Sequence, residues 1–151
     1  MTNHKIELSR GTDRLPGEPK DEQMAAWLKT SLTAMQEATA AVSLRIVSSE
    51  EMTQLNGKYG QAKTPTNVLA FPNRVTLEGD MTLLGDIAVC SKIIQEESER
   101  YQTPFQDRYA HLLVHGLLHL LGFDHSKEAD RLQMESKEKE LLATLGMAEP
   151  Y

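Results

Sequence analysis

Apolar positions alternate at Ile6 and Leu8, and again at Val42, Leu44 and Ile46, the period-two pattern of strands with one buried face. Two short apolar runs also read as strands. One spans Asn67 to Phe71 and is expected to stop at Pro72; the other, Leu83 to Cys90, is continuous enough to be covered on both faces. Elsewhere the spacing changes to three and four. Met24, Trp27, Leu28, Leu32 and Met35 share one face of a helix whose predicted N-cap is Asp21, with Trp27 expected in the core. Ser48 and Glu51 have capping-box spacing ahead of Met52 and Leu55, and Ser91 is a predicted cap for a helix through Ile94 towards Tyr101. Pro104 suits a first helical position and Gly122 the residue beyond a helix end, so a helix is predicted over about 104–121. Ser126 is the predicted cap of a last helix, ended by Gly146, in which Leu132, Leu142 and Leu145 supply the apolar surface. Residues 10–20 and 72–82 read as loops, neither long enough to link domains.

About four strands with intervening helices fit the length of 151 residues as one domain over 1–151, with a core that needs no disulfide. With 40% apolar and 25% charged residues, collagen-like, low-complexity and disordered readings fail. No apolar run is long enough to span a membrane, and the start, Met1 to Ile6, lacks a secretory pattern. A cytoplasmic location without membrane attachment is expected, and the single Cys90 points to no oxidising compartment. The net charge of -6 argues against binding nucleic acid by bulk charge. Residues 45–75 are the exception, with Arg45, Lys58, Lys63 and Arg74 against Glu50 and Glu51, and are the first place to look for phosphate contacts.

The chemical signal is a histidine cluster: four of the five histidines fall within residues 111–125. His115 and His119 are four apart on the predicted helix, so their rings stack on one face about 6 Å apart along the axis and can reach one ion. His125 lies beyond Gly122, where a left-handed glycine can turn the chain back towards that face. Three neutral imidazoles with a fourth position left to water make an open, catalytic type of zinc site. The alternative set of His111, His115 and His119 spreads its outer members about 12 Å along the axis and suits one ion poorly. His111 reads as a hydrogen-bonded packing residue and His4 as an exposed terminal one. Imidazole ligands prefer zinc here but also suit nickel and copper. The same spacing occurs in zinc peptidases, whose general base is the glutamate after the first histidine. That position is Gly116. Peptide hydrolysis is therefore disfavoured.

The segment His115-Gly-Leu-Leu-His119-Leu-Leu-Gly122-Phe-Asp124-His125 closely resembles the signature of the bacterial YbeY endoribonuclease family, the rRNA maturation factors. Leu55-Asn56 with Tyr59, Pro65 to Pro72, Leu84 to Ile87, and Met134-Glu135 through Leu145-Gly146 recur in the family's order, so the likeness covers about residues 40–147. The resemblance implies an α+β fold with a mixed, mostly four-stranded sheet flanked by helices and one zinc ion, or another divalent metal, on His115, His119 and His125. It also implies a cytoplasmic endoribonuclease that prefers single-stranded RNA and acts in small-subunit rRNA 3′-end maturation and ribosome quality control. The implied partners are rRNA, the small ribosomal subunit and its assembly factors.

One departure stands out: the family's arginine after the tyrosine that matches Tyr59 is Gly60 here. Lys58 and Lys63 could supply charge nearby, though not an arginine's bidentate fork. Gly60 keeps open a second reading, a non-catalytic metal-binding ribosome-assembly factor. No catalytic side chain is assigned. Asp124 is a candidate for orienting a ligand ring, against an ordinary loop aspartate, and Asp86 a candidate for a place near the site. Thr66 and Asn67 are candidate RNA contacts, against turn or strand-edge hydrogen bonding.

Overall fold

The computed structural model describes residues 3–59 and 66–150. The alternating segments become β1 (Asn3–Arg10) and β2 (Thr39–Ile46), and the apolar runs become β3 (Val68–Thr76) and β4 (Thr82–Val89). They form a four-stranded mixed sheet in the order β1-β2-β4-β3. β1 and β4 run parallel to β2, whereas β3 pairs antiparallel with β4 at the edge. β4 lies inside the sheet, and its Leu84, Ile87, Ala88 and Val89 are buried, as a run apolar on both faces requires.

β3 does not stop at Pro72 but continues to Thr76. Proline is tolerated because β3 is an edge strand and its register with β4 shifts between Pro72 and Val75. Much of the expected 72–82 loop is therefore the far half of a β-hairpin.

Five helices follow the apolar periodicity. α1 (Asp21–Ala34) buries Met24, Trp27, Leu28 and Leu32, and α2 (Ser49–Tyr59) covers the opposite sheet face with Met52 against Val47, Ala88 and Cys90. α3 (Ser91–Arg100), α4 (Phe105–Leu120) and α5 (Glu128–Thr144) complete the chain. α4 is the central helix, in contact with α1, α3, α5, β3 and β4, and buries Leu113, Leu117 and Leu118 completely.

Several expected caps have other partners. Asp21 is the first residue of α1, with Lys20 at the cap, because its carboxylate accepts hydrogen bonds from Arg10 and Arg14. Ser91 begins α3 after Cys90, and its hydroxyl is 2.6 Å from that of Tyr109. Pro104 is the cap of α4, not its first residue, and Lys127, not Ser126, caps α5. Half of the capping box at Ser48 forms: Glu51 N–H donates to its hydroxyl at 3.1 Å, while the Glu51 carboxylate turns to Arg45 at 2.7 Å. On α5, Leu132 is 55% exposed, and the buried surface comes from Met134, Leu141 and Leu142. His4 is half-buried on β1 and donates to the Glu37 carbonyl at 2.7 Å.

Candidate metal centre

α4 carries His115 and His119 one turn apart, on the side that faces β3. Gly116 lets the helix lie close to the sheet: a Cβ there would sit 3.2 Å from Ile87 and 3.3 Å from Val68. The helix ends at Leu120, and Gly122 reverses the chain with φ +98°, a conformation that glycine adopts without steric cost. Phe123 N–H bonds the Leu118 carbonyl at 2.9 Å, which closes the turn and brings His125 back to the helix.

The three rings converge. Ring centroids are 4.7 Å apart for His115 and His119, 5.0 Å for His119 and His125, and 5.7 Å for His115 and His125. One ring nitrogen from each lies within 4.8 Å of the others. His115 Nε2 and His119 Nε2 are 3.2 Å apart. Tetrahedral zinc with Zn–N of about 2.0–2.1 Å holds its ligand nitrogens roughly 3.3 Å apart, so this pair fits the edge of such a site. His125 is exposed, which leaves the cluster open to solvent on that side.

A carboxylate orients the first ring. His115 Nδ1 is 3.0 Å from Glu138 Oε2 on α5, and a carboxylate can only accept, so the proton sits on Nδ1. The Nε2 lone pair then faces His119. The Glu138 side chain is 1% exposed, and His111 Nε2 lies 3.4 Å from both of its oxygens. His111 is thus the hydrogen-bonded packing residue that its position suggested. Burial lowers the pKa of His119 first, and the neighbouring His115 and His125 charges add to this; a hydrogen bond to the Phe123 backbone and the Asp124 charge oppose it. The neutral, metal-binding form of His119 is the one favoured.

The other candidates lie elsewhere or act differently. Asp124 holds the turn instead of a ring, accepting from His125 N–H at 2.7 Å and from the Ser126 hydroxyl at 2.8 Å. Those two bonds, the Ser126 one first, hold its carboxyl below the usual carboxylate range. Asp86 is exposed and alternates with Ala88 and Cys90 onto the α2 face, whereas Ile87 faces Gly116. Asn67 donates to the Glu97 carboxylate at 3.0 and 3.1 Å, and its carbonyl accepts from Cys90, so its side chain ties β3 to α3. Thr66 is half-buried beside it. In the positive stretch, Arg45 is paired with Glu51, while Lys58 and Arg74 are exposed. Gly60 and Lys63 lie outside the described residues.

Glu138 was missed by the sequence reading, although its signal was there. With Met134, Leu141 and Leu142 it occupies the buried stripe of α5, a lone acid at an apolar position.

Val68, Ala70 and Pro72 of β3 face the three histidines and Gly116 across a cleft of about 260 Å³. One wall is an edge strand and the other the histidine-bearing helix α4. No helix among the described residues is long and apolar enough to cross a membrane.

Comparison with known proteins gives the same picture. The chain is 23% identical to a Thermotoga maritima protein solved in solution, with a TM-score of 0.57 over 96% of this chain and 97% of that one, a likeness of fold. It is 39% identical over 146 residues to the endoribonuclease YbeY of Cellvibrio japonicus, covering 97% of this chain and 81% of that relative. The family model for endoribonuclease YbeY matches residues 9–146. With a three-histidine cluster on the central helix and the turn that follows it, this chain, matched almost end to end, belongs to the YbeY endoribonuclease family of RNA-cleaving hydrolases.

Proposed function

We propose that the chain is a metal-dependent endoribonuclease of single-stranded RNA, with one zinc ion, or another divalent metal, held by His115, His119 and His125. The observation that carries this reading is the convergence of three ring nitrogens within 4.8 Å at the wall of an open cleft. A divalent ion held there supplies Lewis acidity towards a phosphoryl oxygen and lowers the pKa of water to about 7. The chain's own residues do the rest. Glu138 keeps the proton of His115 on Nδ1, the Gly122 turn presents His125, and the apolar β3 wall of Val68, Ala70 and Pro72 screens one side of the cleft from water.

Gly116 stands where zinc peptidases place their glutamate, and a side chain there would press on Ile87 and Val68 at 3.2 and 3.3 Å. This supports phosphodiester rather than peptide chemistry. The physiological substrate is ribosomal RNA in the maturation of the small-subunit 3′ end and in ribosome quality control, with the small subunit and its assembly factors as partners, in the cytoplasm.

The test is cleavage of a labelled single-stranded RNA by purified protein that is metal-loaded, chelated, or chelated and resupplied with zinc, beside His115→Ala. Cleavage that follows zinc and is absent from the variant is expected. Folded, metal-loaded protein that leaves RNA intact would contradict the reading and favour a non-catalytic assembly factor. The products also identify the nucleophile, since a 2′,3′-cyclic phosphate marks attack by the RNA's own 2′-OH.

A further inference from the structure

Behind the histidine cluster, α5 inserts a carboxylate between two histidines of α4. Glu138 accepts from His115 Nδ1 at 3.0 Å on one side and lies 3.4 Å from His111 Nε2 on the other. Its side chain is buried among Met134, Leu141 and Leu142, where an apolar residue would satisfy the fold. A buried carboxylate is costly to keep, and it is kept where a specific partner needs it. Here that partner is the ring whose other nitrogen points into the cleft.

We infer that Glu138 and His111 are positioning residues for the metal centre, acting through His115 without touching the ion or the RNA. Glu138 fixes the His115 tautomer and ring plane and raises the basicity of Nε2, as outer-shell carboxylates do for ligand histidines. His111, one turn before His115 on α4, flanks the same carboxylate and holds it against the opposite helix. The inference rests on the reading that the three histidines hold a metal.

The structure separates this role from a merely structural one. Glu138→Leu extends the apolar stripe of α5, so the metal-free variant is expected to keep its thermal stability while its affinity for zinc falls. Zinc affinity would be measured by competition with a chromophoric chelator for the wild type, Glu138→Leu, Glu138→Gln and His111→Leu, with Glu97→Gln as a control carboxylate on α3. The expected loss is about 10–100-fold for both Glu138 variants, smaller for His111→Leu, and none for the control. Nitrogen-15 NMR of the metal-free proteins supplies a readout independent of zinc: His115 is protonated on Nδ1 in the wild type and samples both tautomers in Glu138→Leu. Glu138→Gln preserves the shape should the leucine variant fail to fold. Wild-type affinity in the glutamine variant, or an unchanged His115 tautomer in a folded leucine variant, would overturn the inference. A wild-type protein that binds no zinc would instead overturn the metal reading itself.

Discussion

Two clusters of polar groups among the described residues, each with a buried carboxylate, are built in opposite ways. At the end of β1, Arg10 pairs with Glu18 and Asp21, and Arg14 lies 3.4 Å from Glu18 and 3.1 Å from Asp21. Charges of both signs meet there and pair with one another. Beside β3, His115, His119 and His125 bring together donors of a single kind, two of them with nitrogens 3.2 Å apart. Glu138 contacts a ring from the far side of His115, away from the cleft, and Asp124 accepts from the His125 backbone. Such a group offers several ring nitrogens to one point, which is the basis of the proposed metal site. The first cluster pairs charge with charge inside the chain and serves the fold, although buried Arg10 Nη1 and Glu18 Oε1 have no hydrogen-bond partner among the described residues; the second gathers ring nitrogens of one kind, the arrangement on which the proposed metal site rests.

Substitutions can break this contrast, beginning with the largest effect. His115→Ala removes one of the three proposed ligands, and zinc affinity measured by chelator competition is expected to fall by more than about 100-fold, beyond the range of outer partners. Thermal stability of the metal-free protein should fall by less than zinc affinity does, because the His115 side chain is 27% exposed and the buried Glu138 keeps His111 at 3.4 Å. Glu18→Ala is expected to do the reverse: it strips a fully buried carboxylate from Arg10 and costs about 1–3 kcal/mol in urea unfolding, with zinc affinity unchanged. A shift in zinc affinity in that variant would show that the two clusters are coupled.

Gly116→Val tests the floor that both cleft walls share. Its side chain meets Ile87 and Val68 and should lift α4 from the sheet, costing roughly 1–3 kcal/mol and weakening zinc binding together with stability. The smallest effect is expected from Asp21. The Arg10 guanidinium holds its carboxyl below the usual carboxylate range, although burial opposes the shift. Stability from this pair is therefore present above the ordinary aspartate pKa of 3.8 and is lost as pH falls through the lower folded value. Asp21→Asn should cost under about 1 kcal/mol near neutral pH, since Asp21 is 42% exposed, and nothing once the wild-type carboxyl is protonated. A difference that persists after the wild-type carboxyl has been protonated, as followed by NMR, would contradict the ion pair.

Much of this was legible in the sequence where a periodic pattern and a local turn suffice. The four strands, the central helix and the convergence of His115, His119 and His125 follow from spacing and from Gly122. What was not legible depends on partners far along the chain. Asp21, Ser91 and Ser126 have the chemistry of caps, but Arg10, Tyr109 and Asp124 claim their side chains, and no local window contains that competition. Pro72 looked like a strand end because nothing local says that β3 is an edge strand. Glu138 is 23 residues from His115, and only the packing of α5 on α4 brings them together. Asp124 and Asp86, chosen for closeness to motifs in the sequence, proved to hold a turn and to face the other side of the sheet.

The contrast rests on the claim that the histidine cluster is completed by a cation. The most direct measurement is zinc-edge X-ray absorption on protein loaded with one equivalent of zinc. Three imidazole nitrogens at about 2.0–2.1 Å with one oxygen ligand are expected, and loss of one imidazole in His125→Ala. Folded protein that takes up no zinc, or a bound ion whose ligands are unchanged in His125→Ala, would contradict it.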